Sequence, residues 1–229
     1  MASFDLTSVT TLTFDCYGTL IDWEAGTIEA LRPLLIRHGI VLSDDEIIAT
    51  CQELEDELRE PPYKSYKAVL SGVVAGFGRR FSFPVEPTEQ NLLAGSVASW
   101  RPFPDTVETL RALRRRYRLA IISNIDDDMF AVSVPKLGTW FDQIVTSEQA
   151  RCYKPDLPIF EEALRRLTAA PATVAHVAEG ATEVQPARRL GCATVWIRRN
   201  GRSAKLLTEV PDVQVPDMRS LLTTLGVNG

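Results

Sequence analysis

The sequence has no CxxC pair. Its four cysteines, Cys16, Cys51, Cys152 and Cys192, stand far apart, which argues against a zinc ribbon or a disulfide framework and leaves reduced thiols in a cytoplasmic protein as the expectation. Nor does any run approach the roughly 18 apolar residues that a membrane helix needs. The opening MASFDLTSV has neither the basic nor the apolar segment of a secretory leader. The chain therefore reads as soluble and cytoplasmic, with no membrane partner. A single-signed charge field is missing as well. The net charge is −5, with acids and bases spread along the chain, so nucleic acid is not an expected partner. The one basic run, RALRRRYR at 111–118, sits beside Leu110, Leu113 and Leu119. It reads as the solvated face of a helix leading into a strand, because no aromatic interleaving or reader motif accompanies it. Internal repeats and low-complexity tracts are absent.

What is present is a chain of 229 residues, 45% of them hydrophobic, enough for one sizeable core or a core with a smaller appendage. Short apolar runs read as buried strands: TTLTFD (10–15), LAIISN (119–124), QIVTS (143–147), TVAHVAE (173–179) and CATVWI (192–197). Helical patterns such as PIFEEALRRL (158–167) separate them. Fully apolar short strands alternating with helices imply an α/β fold, a parallel sheet covered on both faces. Between about Trp23 and Trp100 no strand pattern is found. SDDEIIATCQELEDELRE opens on Ser43 as a cap with acids in the first turn, and YKSYKAVLSGVVAGFGRRF follows the break at Pro61 and Pro62. A helical insertion after the first strand is expected there, with WRPFPD marking the return.

In an open parallel sheet, ligands bind beyond the carboxyl ends of the strands. The chemistry-bearing residues of this sequence gather at those ends: Asp15 after the first run, Ser123 and Asn124 after the second, Lys154 in CYKPD, and Glu179 and Glu183 after VAHV. A carboxylate such as Asp15 can attack a substrate and split a displacement into two steps through an ester. A nearby ammonium, Lys154, favours its charged form. Thr19, Ser123 and Asn124 supply hydroxyls and amides for an anionic substrate group, and Gly18 lets backbone N–H groups turn towards it. Each residue also has a plainer reading. Asp15 can be a turn acid and Lys154 a surface lysine. Ser123 and Asn124 can cap the following helix, and the two glutamates can be a solvated helix start. His176 reads as a satisfied core histidine, Cys16 as a small buried filler, and Trp23, Phe77 and Phe81 as core of the helical insertion.

Four stretches in order, FDCYGTLID, IISN, YKPDLPIF and HVAEGATEVQPARRLG, resemble motifs one to four of the haloacid dehalogenase superfamily of hydrolases. The resemblance implies a Rossmann-like parallel-sheet core over 1–22 and 100–229, with a helical cap inserted over 23–99. It implies Asp15 as nucleophile, Ser123 as the second-motif hydroxyl and Lys154 as the third-motif lysine. Magnesium-dependent phosphatases of that superfamily carry a second aspartate two residues after the nucleophile, which protonates the leaving group. Here that position holds Tyr17, whose phenol has an ordinary pKa of about 10 and is a poor acid at neutral pH. A halide needs no proton to leave.

FDxYGTL is similar to the L-2-haloacid dehalogenase branch, in which a Ser-Asn pair holds the substrate carboxylate. The wider match of LTFDCYGTLIDWE and SNID also resembles L-azetidine-2-carboxylate hydrolase, which opens a strained C–N ring. The expected activity is hydrolysis of a small 2-substituted carboxylic acid through an ester on Asp15, with Glu183 activating water and Glu179 as its competitor. The branch binds the departing halide with a cap arginine. Arg59 is the candidate here, with Tyr63, Lys64 and Tyr66 as other cap residues able to reach substrate. No cofactor is expected. The alternative is a magnesium ion on Asp15 and Glu179 serving phosphate-ester hydrolysis, since AEGATE keeps the spacing of the two metal-binding acids. Relatives in the branch are often dimers, which implies a homodimer.

Overall fold

The computed structural model describes residues 6–199 and 207–227; Met1–Asp5, where the leader was sought, lie outside them. In chain order the elements are β1 (Thr11–Phe14), β2 (Ile21–Asp22), α1 (Trp23–Arg37), α2 (Asp44–Arg59), α3 (Tyr66–Phe81), α4 (Leu92–Ser96), β3 (Arg101–Pro102), α5 (Thr106–Arg114), β4 (Arg118–Ser123), α6 (Asp127–Ala131), β5 (Gln143–Thr146), α7 (Ser147–Ala150), α8 (Leu157–Leu167), β6 (Val174–Ala178), α9 (Val184–Arg189), β7 (Ala193–Ile197), β8 (Val213–Val215) and α10 (Met218–Thr224).

Six strands form one parallel sheet in the order β5-β4-β1-β6-β7-β8. All four residues of β1 and all five of β6 and β7 are buried, as expected for inner strands covered on both faces. The chain leaves β1 towards β4 on one side and returns to β6 on the other, so the strand order reverses at β1. The crevice beyond the carboxyl ends of β1, β4 and β6 is therefore the switch point where an α/β sheet offers a ligand site. The sheet is the Rossmann-like α/β architecture that the strand pattern predicts. Two features escape that pattern. β8 is a three-residue edge strand with one buried residue, and β2 pairs antiparallel with β3 through two residues each. Neither is long enough to show a period.

The helices α1–α4 lie between β2 and β3. In α2, Ile47, Cys51 and Leu54 fall on one buried stripe, and each fully buried Ile or Leu contributes about 1.5–3 kcal/mol. Ser43 caps this helix in a reciprocal box, its hydroxyl accepting from Glu46 N–H while the Glu46 carboxylate accepts from Ser43 N–H. α3 starts three residues after the expected Tyr63, because Ser65 accepts from Ala68 N–H and fixes the first turn there. Its N-terminus docks on the sheet side: Tyr66 N–H and Lys67 N–H donate to the two oxygens of buried Asp126, at 2.8 and 2.9 Å. Asp126 is also the N-cap position of α6, so Ser123 and Asn124 do not cap that helix and remain at the strand end. Among the described residues no helix is long and apolar enough to cross a membrane.

Candidate active site

β1 ends at Phe14, and the chain folds at once into a tight loop. Leu20 N–H and Ile21 N–H both donate to Cys16 O, at 2.7 and 2.9 Å, and Gly18 N–H donates to Ile21 O at 2.8 Å. Gly18 has φ +101°, and a Cβ there would lie 3.2 Å from the Trp23 indole nitrogen, so both conformation and space call for glycine. Arg199, which the sequence did not single out, braces the loop from outside by donating to Thr19 O at 2.9 Å and to Asp105 at 2.9 Å.

This loop aims Asp15 at the switch point, where three charged side chains meet. Lys154 Nζ lies 2.6 Å from Asp15 Oδ1, 2.8 Å from Glu183 Oε2 and 2.8 Å from Ile122 O. An ammonium has three protons to donate, and all three are used. Thr19 Oγ1 donates to Asp15 Oδ2 at 2.8 Å and accepts from Glu179 N–H at 2.8 Å. Its proton is thus spent on orienting Asp15. Asn124 brackets the backbone of Lys154: its Oδ1 accepts from Lys154 N–H at 2.7 Å and its Nδ2 donates to Lys154 O at 3.1 Å. Lys154 is held on the main chain by one neighbour and at its tip by two acids.

Burial raises the Asp15 carboxyl, and the Glu183 charge adds to it. The Lys154 ammonium and the Thr19 hydroxyl oppose that rise, and the net direction is upward. Burial pushes Glu183 the same way, but Lys154 and the His176 hydrogen bond outweigh it and leave Glu183 below the ordinary carboxylate range. Lys154 is disfavoured as a cation by burial, yet its two acids more than compensate and raise it. The two carboxyls are thus shifted in opposite directions, and Lys154 stays charged. The solvated-helix reading of Glu183 fails, since the residue is 7% exposed.

A cavity of about 700 Å³ opens over this cluster, and Asp15, Tyr17, Ser123, Asn124, Lys154, Glu179 and Glu183 all line it. Ser123 Oγ is buried with no hydrogen-bond partner in the protein. A buried orphan hydroxyl is costly, and at a cavity wall it is a group waiting for a ligand. Tyr17 turns its hydroxyl to Ser133 Oγ at 2.9 Å and packs edge-on against Trp100. Burial drives its ionisation further upward from an already high value, so this phenol supplies no proton to a leaving group.

From the helical side, Arg59 and Tyr66 reach the cavity, whereas Tyr63 and Lys64 do not line it. Lys64 folds back to donate to Leu58 O at 2.8 Å, and Tyr63 stacks on Tyr153 with the Arg151 guanidinium over its ring. Arg59 pairs with buried Glu55 and lies near the rings of Tyr66 and Tyr153. Sequence reasoning missed Glu55 and Gln52 on this wall and Tyr153 in the loop beside Lys154, and it assigned Trp23 to a helical core although Trp23 lines the cavity. The helical spacing of Gln52 and Glu55 was visible, but which face looks onto Asp15 was not. Both Asp15 oxygens accept hydrogen bonds and the Lys154 ammonium lies between Asp15 and Glu183, while among the described residues no three His, Cys, Asp or Glu side chains form a metal-binding group.

The family model of haloacid dehalogenase-like hydrolases matches residues 9–191. The chain is 27% identical over 221 residues to an (S)-2-haloacid dehalogenase of Pseudomonas sp. (strain YL), covering 92% of each chain. It is 33% identical over 166 residues to a glyceraldehyde 3-phosphate phosphatase of Methanothermobacter thermautotrophicus, covering 69% of this chain and 71% of that one. The fold is shared with the crystal structure of L-2-haloacid dehalogenase from Xanthobacter autotrophicus carrying covalently bound chloropropionic acid, at TM-score 0.77 and 21% identity over 94% of this chain and 98% of that one. With the motif residues converging at the switch point of the sheet, the chain belongs to the haloacid dehalogenase-like hydrolase family.

Proposed function

We propose that this hydrolase displaces a substituent from C2 of a small carboxylic acid, in the manner of a 2-haloacid dehalogenase. Asp15 attacks C2 and the C2–substituent bond breaks, the leaving atom departing with the electron pair. Water then adds to the carboxyl carbon of the new ester while Glu183 takes its proton. The bond from that carbon to the ester oxygen breaks, the 2-hydroxy acid leaves with the proton, and Asp15, now carrying one oxygen from water, returns to the carboxylate as the second proton of that water is released to solvent. Lys154 holds the two acids and favours their ionised forms, and Ser123 Oγ receives the substrate carboxylate. The helices over 23–99 act as a cap on the core of 1–22 and 100–229, with Arg59 as the cation that meets the departing anion. The observation that carries this reading is Tyr17. It stands where a phosphatase would place its acid, with a part-buried hydroxyl bonded to Ser133, which suits a leaving group that needs no proton.

The test is a parallel panel on purified protein with EDTA or with magnesium. Halide release from 2-chloropropionate in EDTA is the expected result. Opening of azetidine-2-carboxylate without halide release would make nitrogen the leaving atom. Phosphate release from an aryl phosphate, seen only with magnesium, would overturn the proposal in favour of the phosphatase relatives.

A further inference from the structure

His176 lies in β6 directly across from Thr13 of β1, and both are buried. Thr13 is two residues before Asp15, so the two point to the same face of the sheet. Around the imidazole the surroundings are apolar, with Phe160 edge-on at 5.2 Å and Ile122 and Ala163 nearby. A polar ring in such a layer is costly unless both nitrogens are paired. Both are: Nδ1 lies 2.9 Å from Thr13 Oγ1 and Nε2 lies 2.9 Å from Glu183 Oε2. An ionised Glu183 can only accept, so Nε2 carries the hydrogen, and in the neutral tautomer Nδ1 is left to accept from the threonine hydroxyl.

This arrangement treats the two oxygens of Glu183 differently. Oε2 receives His176 from the sheet and Lys154 from the side, each within 2.9 Å. Oε1 has no donor among the described residues. It lies over Gly180, where a Cβ would come within 2.7 Å of it, so the missing side chain leaves that oxygen its place at the cavity. We propose that His176 is a positioning residue for the second half of the reaction: it pins Glu183 through Oε2, so that Oε1 is the oxygen that takes the proton from water attacking the Asp15 ester. The proton then passes from Oε1 to the departing alkoxide, and Glu183 ends as it began. His176 does not touch Asp15 in this arrangement, and Lys154 keeps Asp15 Oδ1, Ile122 O and Glu183 as acceptors without it. Formation of the ester is therefore independent of the histidine, and only its hydrolysis depends on it.

The inference rests on the ester mechanism above, and the two can fail separately. Rapid mixing of wild type, His176→Leu and His176→Gln with 2-chloropropionate reads the first turnover as a burst of halide. Mass spectrometry of the quenched protein reads the ester on Asp15. For His176→Leu the expected result is a burst of normal rate and unit stoichiometry, a steady state slowed at least about tenfold, and accumulated ester. His176→Gln keeps an N–H donor and should recover part of the steady-state rate, and it serves as the folded comparator if the leucine variant is unstable. Equal slowing of burst and steady state in both variants, or unchanged turnover without accumulated ester, would overturn the positioning role. Absence of halide and of ester from wild type would instead overturn the mechanism on which it rests.

Discussion

On the sheet side of the cavity, Asp15, Ser123, Lys154 and Glu183 are each no more than 7% exposed, and three of the four are joined by hydrogen bonds of 2.6 to 2.8 Å. On the helical side, Gln52, Asp56 and Glu60 are exposed, and only Glu55 and Tyr66 are buried. The floor is a network in which Asp15, Lys154 and Glu183 Oε2 hold fixed partners, while Ser123 Oγ and Glu183 Oε1 are left for what enters the cavity. The wall is a set of longer side chains on α2 and the turn after it, several of them exposed. Preorganised charge in a dry floor has no reorganisation to undergo during reaction, whereas exposed groups on a wall can adapt to the substrate. Under the proposed mechanism, the sheet sets the chemistry and the helices set the choice of substrate.

The strongest test of this contrast removes the nucleophile. Asp15→Asn, purified without deamidation, should lower turnover by at least about 10³-fold while retaining the fold, as judged by circular dichroism; substantial activity would remove Asp15 from the mechanism. Next is Lys154→Met, for which a loss of roughly 10²–10³-fold is expected. Burial already raises Asp15 and Lys154 opposes that rise, so without the lysine a smaller fraction of Asp15 is ionised at any given pH. The acid limb of kcat/KM should move to higher pH; an unmoved limb would mean that Asp15 does not titrate in that limb. The smallest effect belongs to the wall. Arg59→Ala should lower kcat/KM about tenfold, the loss of one charge-assisted contact to the departing anion. A fall in kcat as large as that of Lys154→Met would erase the distinction between floor and wall.

His176 marks the limit of reading such a site from a list of motifs. As a lone histidine in an apolar strand it reads as a core residue, and it is one: buried, with both nitrogens bonded. Its partner, however, is the very glutamate assigned to activate water, seven residues further along the chain. Thr19 and Asn124 show the same limit from the other side. Their residue types suit a substrate anion, yet Thr19 is spent on Asp15 and Asn124 on the backbone of Lys154. A side chain's capacity for hydrogen bonding is legible in its chemistry, whereas the atom that claims it depends on neighbours far away in the chain.

The sequence by itself determined the order and kind of the main elements, because buried strands and amphipathic helices carry their periods in consecutive residues. It also determined that acids, a lysine and small polar residues would stand at strand ends, and that a tyrosine replaced the phosphatase acid. Only the tertiary structure decided that Lys154 would divide its three protons among Asp15, Glu183 and Ile122 O, that Lys64 and Tyr63 would turn away while Glu55 and Tyr153 faced the cavity, and that Ser123 would be left without a partner. Such pairings join residues as far as 139 positions apart. They follow from strand order and helix rotation, which the whole core sets together and no local pattern records.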